Sequence, residues 1–154
     1  MQTHEYTEEE VPLLLLYPLL QKVILSAADM KETRHTKTQH IIFFALSLYE
    51  HLTMSEIAGY ISSSKEQATR AVAPLVDEGY ILRSVNPENR TQVYISLTGK
   101  GLDHVKLYRE KIHAGLNEML TSAISAEEAE ELRQAVRTIL KILIKVDERK
   151  KAVK

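Results

Sequence analysis

The stretch from Ser62 to Arg70 is rich in polar chemistry: three serines, then Lys65, Glu66, Gln67, Ala68, Thr69 and Arg70. What these side chains offer is hydrogen bonding. A forked guanidinium, a carboxamide, a hydroxyl and an ammonium are the groups that read guanine O6 and N7 or adenine N6 and N7 in a major groove, or that hold phosphate. On a helix of about 3.6 residues per turn counted from Ser64, Ala68, Ala71, Val72, Leu75 and Val76 fall on one side and Glu66, Thr69, Arg70 and Ala73 opposite, with Lys65 and Gln67 at the flanks. The pattern predicts a helix that buries its apolar side and presents Ser64, Lys65, Gln67, Thr69 and Arg70 outward. Ser62, Ser63 and the amides opening that helix are candidate phosphate anchors. Glu66 fits the acidic position of a capping box opened by Ser63, and its charge is unwelcome near phosphates.

Other chemistries are poorly supplied. Cysteine is absent, which excludes disulfides, thiolate metal sites and cysteine catalysis. There is no Gly-rich phosphate loop, nucleophile elbow or paired-carboxylate motif, so an enzyme is not expected. Of the six histidines, His104 and His113 are nine residues apart, half a turn out of phase on a helix, and no pair has the i, i+4 spacing that presents two imidazoles to one ion. They read as surface or capping residues, and neither metal nor cofactor is expected. Lys and Arg number 20 against 21 Asp and Glu, a formal charge of -1, which argues against coating nucleic acid by bulk positive charge. Between Ser62 and Gln92, Lys65, Arg70, Arg83 and Arg90 are balanced by Glu66, Asp77, Glu78 and Glu88. The apolar run Val11 to Leu20 is broken by Pro12 and Pro18 and closed by Gln21-Lys22, short of the roughly 20 residues that span a bilayer. Glu5, Glu8, Glu9 and Glu10 stand where a signal peptide would be positive, so a cytoplasmic protein without membrane contact is expected.

The elements that must position the polar face are marked by capping boxes at Thr7-Glu10, Thr36-Gln39, Thr53-Glu56, Ser63-Glu66 and Ser125-Glu128. A further helix opens at Thr98, with Val105, Tyr108, Ile112, Leu116 and Met119 on one face. From Ile81 to Leu97 apolar and polar residues alternate around Asn86-Pro87-Glu88-Asn89, which predicts a single β-hairpin. Two short helices, Thr53 to Ile61 and about Ser64 to Glu78, followed by a hairpin, have the order of a winged helix-turn-helix. Pro74 lies inside the second and should kink or shorten it, re-aiming its N-terminal half. The helix from Val11 to Leu25 is apolar nearly all round, and the last helix carries Leu132, Val136, Ile139, Leu143 and Val146 as a narrow seam. Both suit burial between two subunits, with Leu13, Leu16, Leu20, Leu132, Val136, Ile139 and Leu143 at the interface. The fold expected is mainly α with one β-hairpin wing, in a single domain over residues 1–154: about 34–100 form the winged part, and 1–33 with 101–154 the dimerisation helices.

Ser55-Glu56-Ile57-Ala58, Thr69-Arg70, Leu75, Gly79-Tyr80-Ile81, Arg83, Asn89-Arg90 and Ser96-Leu97-Thr98 with Gly101 together resemble the MarR (multiple antibiotic resistance regulator) family. The resemblance extends over nearly the whole chain and is specific between about residues 53 and 101. It implies a homodimer with interlocked terminal helices, recognition helices in successive major grooves of a palindromic operator in double-stranded DNA, and wings in the minor groove, where Arg90 would sit. It also implies transcriptional control, here read as repression, that a small-molecule effector releases; Tyr17, His40, Phe43, Phe44 and Tyr49 lie in segments that could line its pocket, although aromatics at helical spacing are more often core. The wing departs from the family's Asp-Arg-Arg-like run: Asn89-Arg90-Thr91 lacks the second basic residue. That departure and the local charge balance favour a rival reading, a winged scaffold that binds a partner protein instead of DNA.

Overall fold

A computed structural model of the chain describes residues 12–27, 34–87 and 89–152. The Thr7 capping box and the Leu13 side chain lie outside the described residues. The elements run α1 (Pro12–Ala27), α2 (Lys37–Leu48), β1 (Leu52–Thr53), α3 (Met54–Tyr60), α4 (Lys65–Asp77), β2 (Ile81–Val85), β3 (Val93–Leu97), α5 (Gly99–Ala123) and α6 (Ala126–Ala152). The architecture is mainly helical with a small antiparallel sheet, a winged helix.

Helix starts follow the hydroxyl signals. Reciprocal capping boxes close α2 through Thr36 and Gln39 and α3 through Thr53 and Glu56. At α6, Ser125 and Glu128 exchange bonds of 2.8 and 3.2 Å in the same way, and at α5 the Thr98 hydroxyl accepts from the Gly101 amide. Two starts or elements depart from expectation. The box of α4 is shifted by one residue: Ser64, not Ser63, is the N-cap, and Gln67, not Glu66, closes it. The hairpin also gains a third strand, since Leu52 and Thr53 pair with Ile95 and Tyr94 to give the order β1-β3-β2. A two-residue strand is too short to show alternation.

The described residues divide into two compact units at Ile112, within α5. One runs from α2 to β3 and includes α5 as far as Ile112. Its core joins Ile42, Phe43, Ala45 and Leu46 of α2, Leu52, Ile57 and Ala58, Ala68, Val72 and Leu75 of α4, Ile81, Ile95 and Val105. Burying such side chains contributes on the order of 1.5–3 kcal/mol for each large one, which is what holds the short helices in place. The Gln39 carboxamide also ties α2 to α4, donating to the Ala71 carbonyl at 3.4 Å. After α4, Gly79 adopts φ 76°, and the amides of Gly79 and Tyr80 bond back to Val76 and Leu75, the Schellman pattern. Tyr80 then meets the start of α5 so closely that a Cβ at Gly101 would run into its carbonyl.

The other unit holds α1, α5 from His113 onward, and α6. Gly115 allows the Ala27 carbonyl to approach α5 closer than any side chain would permit. Much of its apolar surface stays uncovered: Leu16, Tyr17, Leu19 and Leu20 on α1, and Leu132, Val136, Leu140, Ile142, Leu143 and Val146 on α6. On α6 the exposed apolar surface includes Leu140 and Ile142, so it is broader than a narrow seam. No helix among the described residues is long and apolar enough to cross a membrane.

Candidate nucleic-acid interface

The turn between α3 and α4 sets the polar face. At the end of α3 the amides of Ser62 and Ser63 bond to Gly59 and Ala58, again in the Schellman pattern, and Ser62 takes the left-handed position with φ 49°. Glycine fills that position most often, because a Cβ there costs energy. Ser62 is thus first a turn residue, with its side chain exposed.

α4 then points one side inward and the other to solvent. Ala68, Val72 and Leu75 are fully buried, whereas Lys65, Glu66, Gln67, Thr69 and Arg70 are exposed. Met54, Lys65, Glu66, Thr69 and Arg70 line a shallow open cleft. The Lys65 and Arg70 side chains make no hydrogen bond or ion pair with any described residue, so both cations are available to a partner. Two predicted readers are partly occupied. The Gln67 Oε1 accepts from the Ser64 amide at 3.3 Å and from the Ser63 hydroxyl. Only its Nε2 end remains for a base unless the cap opens, since bidentate reading of adenine needs both ends. Thr69 donates its hydroxyl proton to the Lys65 carbonyl at 2.8 Å, leaving its methyl and an oxygen lone pair outward. Glu66 does not close the cap, but its own amide and then the Ser64 hydroxyl hold its carboxyl below the ordinary value, so it stays charged beside Lys65. α4 continues through Pro74 to Asp77, so the proline does not shorten it, and Pro74 itself is exposed.

The wing is a five-pair ladder from Ile81↔Leu97 to Val85↔Val93. Its turn is closed by Asn86 and Gln92, which bond through backbone at 2.9 Å and side chains at 2.8 Å. Inside it, Asn89 Oδ1 accepts from the Thr91 amide at 3.1 Å and the Thr91 hydroxyl at 2.6 Å, an Asx turn. Thr91, which stands where the second basic residue was expected, therefore stiffens the tip, and Arg90 projects between the two, exposed.

The histidines depart furthest from expectation. His35 and His40 are buried and meet His104, with ring centroids 6.0 Å apart for His35 and His40 and 4.7 Å for His35 and His104. Spacing along one helix could not reveal them, because they come from the segment before α2, from α2 and from α5. No group of three or more His, Cys, Asp or Glu among the described residues is arranged to hold a metal ion.

A sequence model described as the MarR family matches residues 36–93, from the N-cap of α2 into β3. No sequence among the curated proteins matches the chain. Among solved structures, wild-type apo MarR from E. coli is 20% identical with a TM-score of 0.70, over 89% of this chain and 99% of that one. A mutant of E. coli MarR complexed with operator DNA is 21% identical with a TM-score of 0.57, over 89% and 99%. A mutant of S. aureus MepR bound to an oligodeoxyribonucleotide is 20% identical with a TM-score of 0.55, over 90% and 99%. At these identities the likeness is one of fold.

Proposed function

We propose that the chain, whose residues 36–93 match the MarR family model, is a DNA-binding transcriptional regulator of that family, acting as a homodimeric repressor on an operator made of two inverted half-sites. The observation that carries this reading is the exposed face of α4, on which Lys65 and Arg70 stand without a partner beside Thr69, with Arg90 held at the end of a stiffened wing. Lys65, Thr69, Arg70 and the Nε2 end of Gln67 meet base edges or phosphates in the major groove, while Arg90 meets the minor groove or its phosphates. Ser63 and Ser64, beside the first amides of α4, are placed to anchor phosphate, the helix N-terminus adding its partial positive charge. Ser62 contributes through the turn. Two copies joined through the exposed apolar faces of α1 and α6 place two such helices on one DNA duplex. Solved relatives captured with operator DNA or an oligodeoxyribonucleotide support the same use of the fold. Release by a small-molecule ligand belongs to this reading as a family property.

Selection of bound duplexes from a randomised pool tests it. Enrichment of an inverted repeat is the expected result. A pool that stays random after repeated rounds points instead to the partner-protein reading, which the equal numbers of positive and negative residues between Ser62 and Gln92 favour.

A further inference from the structure

The buried imidazoles lie outside the polar face, yet they touch the element that carries it. His40 is 4% exposed and stacks on Tyr108 with ring centroids 4.0 Å apart. His35 packs edge-on against Phe43 and Tyr80 at 5.2 and 5.3 Å, and His104 lies 5.0 Å from Tyr80. Neither ring nitrogen of His40 has a hydrogen-bond partner among the described residues, nor has Nε2 of His104. A neutral imidazole carries one donor and one acceptor, so His40 already bears a desolvation cost; a cationic ring would bury two unsatisfied donors and a charge.

The charged and titratable groups facing the cluster come from three elements. Glu78, the C-cap of α4, has Oε2 3.6 Å from His35 Nε2. Tyr80 precedes β2, and α5 supplies Lys100 and Tyr108. Lys100 donates to the Glu78 carbonyl at 2.6 Å and lies 4.3 Å over the Tyr80 ring. Tyr80 in turn closes α4, its amide bonded to the Leu75 carbonyl at 2.9 Å. A charge entering among the three rings is therefore felt where the recognition helix ends.

We propose that His40 and His104, packed around His35, form a proton-operated switch in the winged unit: the neutral His40 and His104 rings hold the C-terminal end of α4 against α2 and α5, and a proton entering either ring loosens it. Burial first, then the neighbouring His35 and His104, hold His40 down to about 4. Burial and His35 lower His104 too, against an opposing pull from Glu78. A base whose folded value lies below its ordinary value near 6.5 is protonated more readily in the unfolded chain. Its contribution is thus complete above about 6.5 and lost as pH falls from there toward 4. The switch rests on the DNA-binding reading only for its consequence, weaker operator binding in mild acid.

The test needs no DNA. Imidazole carbon and proton shifts of the full chain are followed by NMR from about pH 8 to 4.5, together with melting curves and amide exchange, for the parent and His40→Phe. The His40 ring is expected to pass pH 6.5 without titrating. The parent should lose several degrees more of Tm than His40→Phe between pH 7.5 and 5.5, and its protection at the Gly79 and Tyr80 amides, corrected for intrinsic exchange, should fall about tenfold. A His40 ring that titrates near its ordinary value, or equal acid losses in both proteins, overturns the switch. Should His40→Phe not fold, the ring titration and exchange of the parent decide alone. Acid loosening without operator binding at any pH would count against the DNA reading and leave the switch standing.

Discussion

Arg70 and Gln67 are three residues apart on α4, yet they stand differently toward a ligand. The Arg70 guanidinium has no partner among the described residues, while Gln67 has its oxygen in the cap. Replacing Arg70 by Ala should weaken operator binding by about 1–3 kcal/mol if it reads a base, and mainly reduce the salt slope by about one if it holds a phosphate. Isotherms that match the parent at every salt concentration would remove it from the interface. The inward and outward sides of α4 were legible in the sequence, since Ala68, Val72 and Leu75 follow the helical period. The occupation of Gln67 was not: Ser63 and Ser64 each have an acid or amide three residues on, Glu66 and Gln67, and backbone geometry decides that Ser64 takes the role. The histidines were hidden for a related reason. Burial of His40 depends on what Tyr108 places over it from a distant element.

The turn joining α3 to α4 depends on one strained position. Ser62 holds φ 49° without the freedom of glycine. Ser62→Gly should leave thermal stability unchanged or raise it by up to about 1 kcal/mol, because relief of the Cβ offsets the added entropy of the unfolded chain. Ser62→Val, β-branched in the left-handed region, should lower stability by about 1–3 kcal/mol. Denaturation midpoints for the two variants check this, and equal midpoints would show that the turn does not constrain α4. Hairpin and helix boundaries were readable because Gly79, the Thr36, Thr53, Thr98 and Ser125 hydroxyls, and the Asn86-to-Gln92 cluster all act locally. β1 was not readable, because Leu52 and Thr53 become a strand only by pairing with β3. Thr91 changes the meaning of the wing: its hydroxyl bond to Asn89 gives a structural reason for a residue that looked like a lost cation.

At the scale of the whole molecule, two opposing features meet. A chain of charge -1 has little general attraction for DNA, and the unit holding α1 and α6 leaves Leu16, Leu20, Leu132, Val136 and Leu143 more than two-fifths exposed. A monomer seldom tolerates so many large apolar side chains in solution, and pairing two copies covers them while doubling the few placed cations. Light scattering at micromolar concentration should therefore give twice the chain mass of 17.5 kDa. Val136→Glu combined with Leu143→Glu should shift it toward the monomer and weaken operator binding by more than tenfold, since a dimer gains effective concentration for its second half-site. A monomeric parent would undo this part of the account. On this reading, DNA recognition comes from a few placed residues and not from bulk charge. Its most direct test is the affinity of the parent for the selected inverted repeat and for a scrambled duplex, each measured across a range of salt. Binding to the repeat should be tight and steeply salt-dependent, and binding to the scrambled duplex weak throughout. Equal affinity for both duplexes, or no binding to either, would contradict this reading.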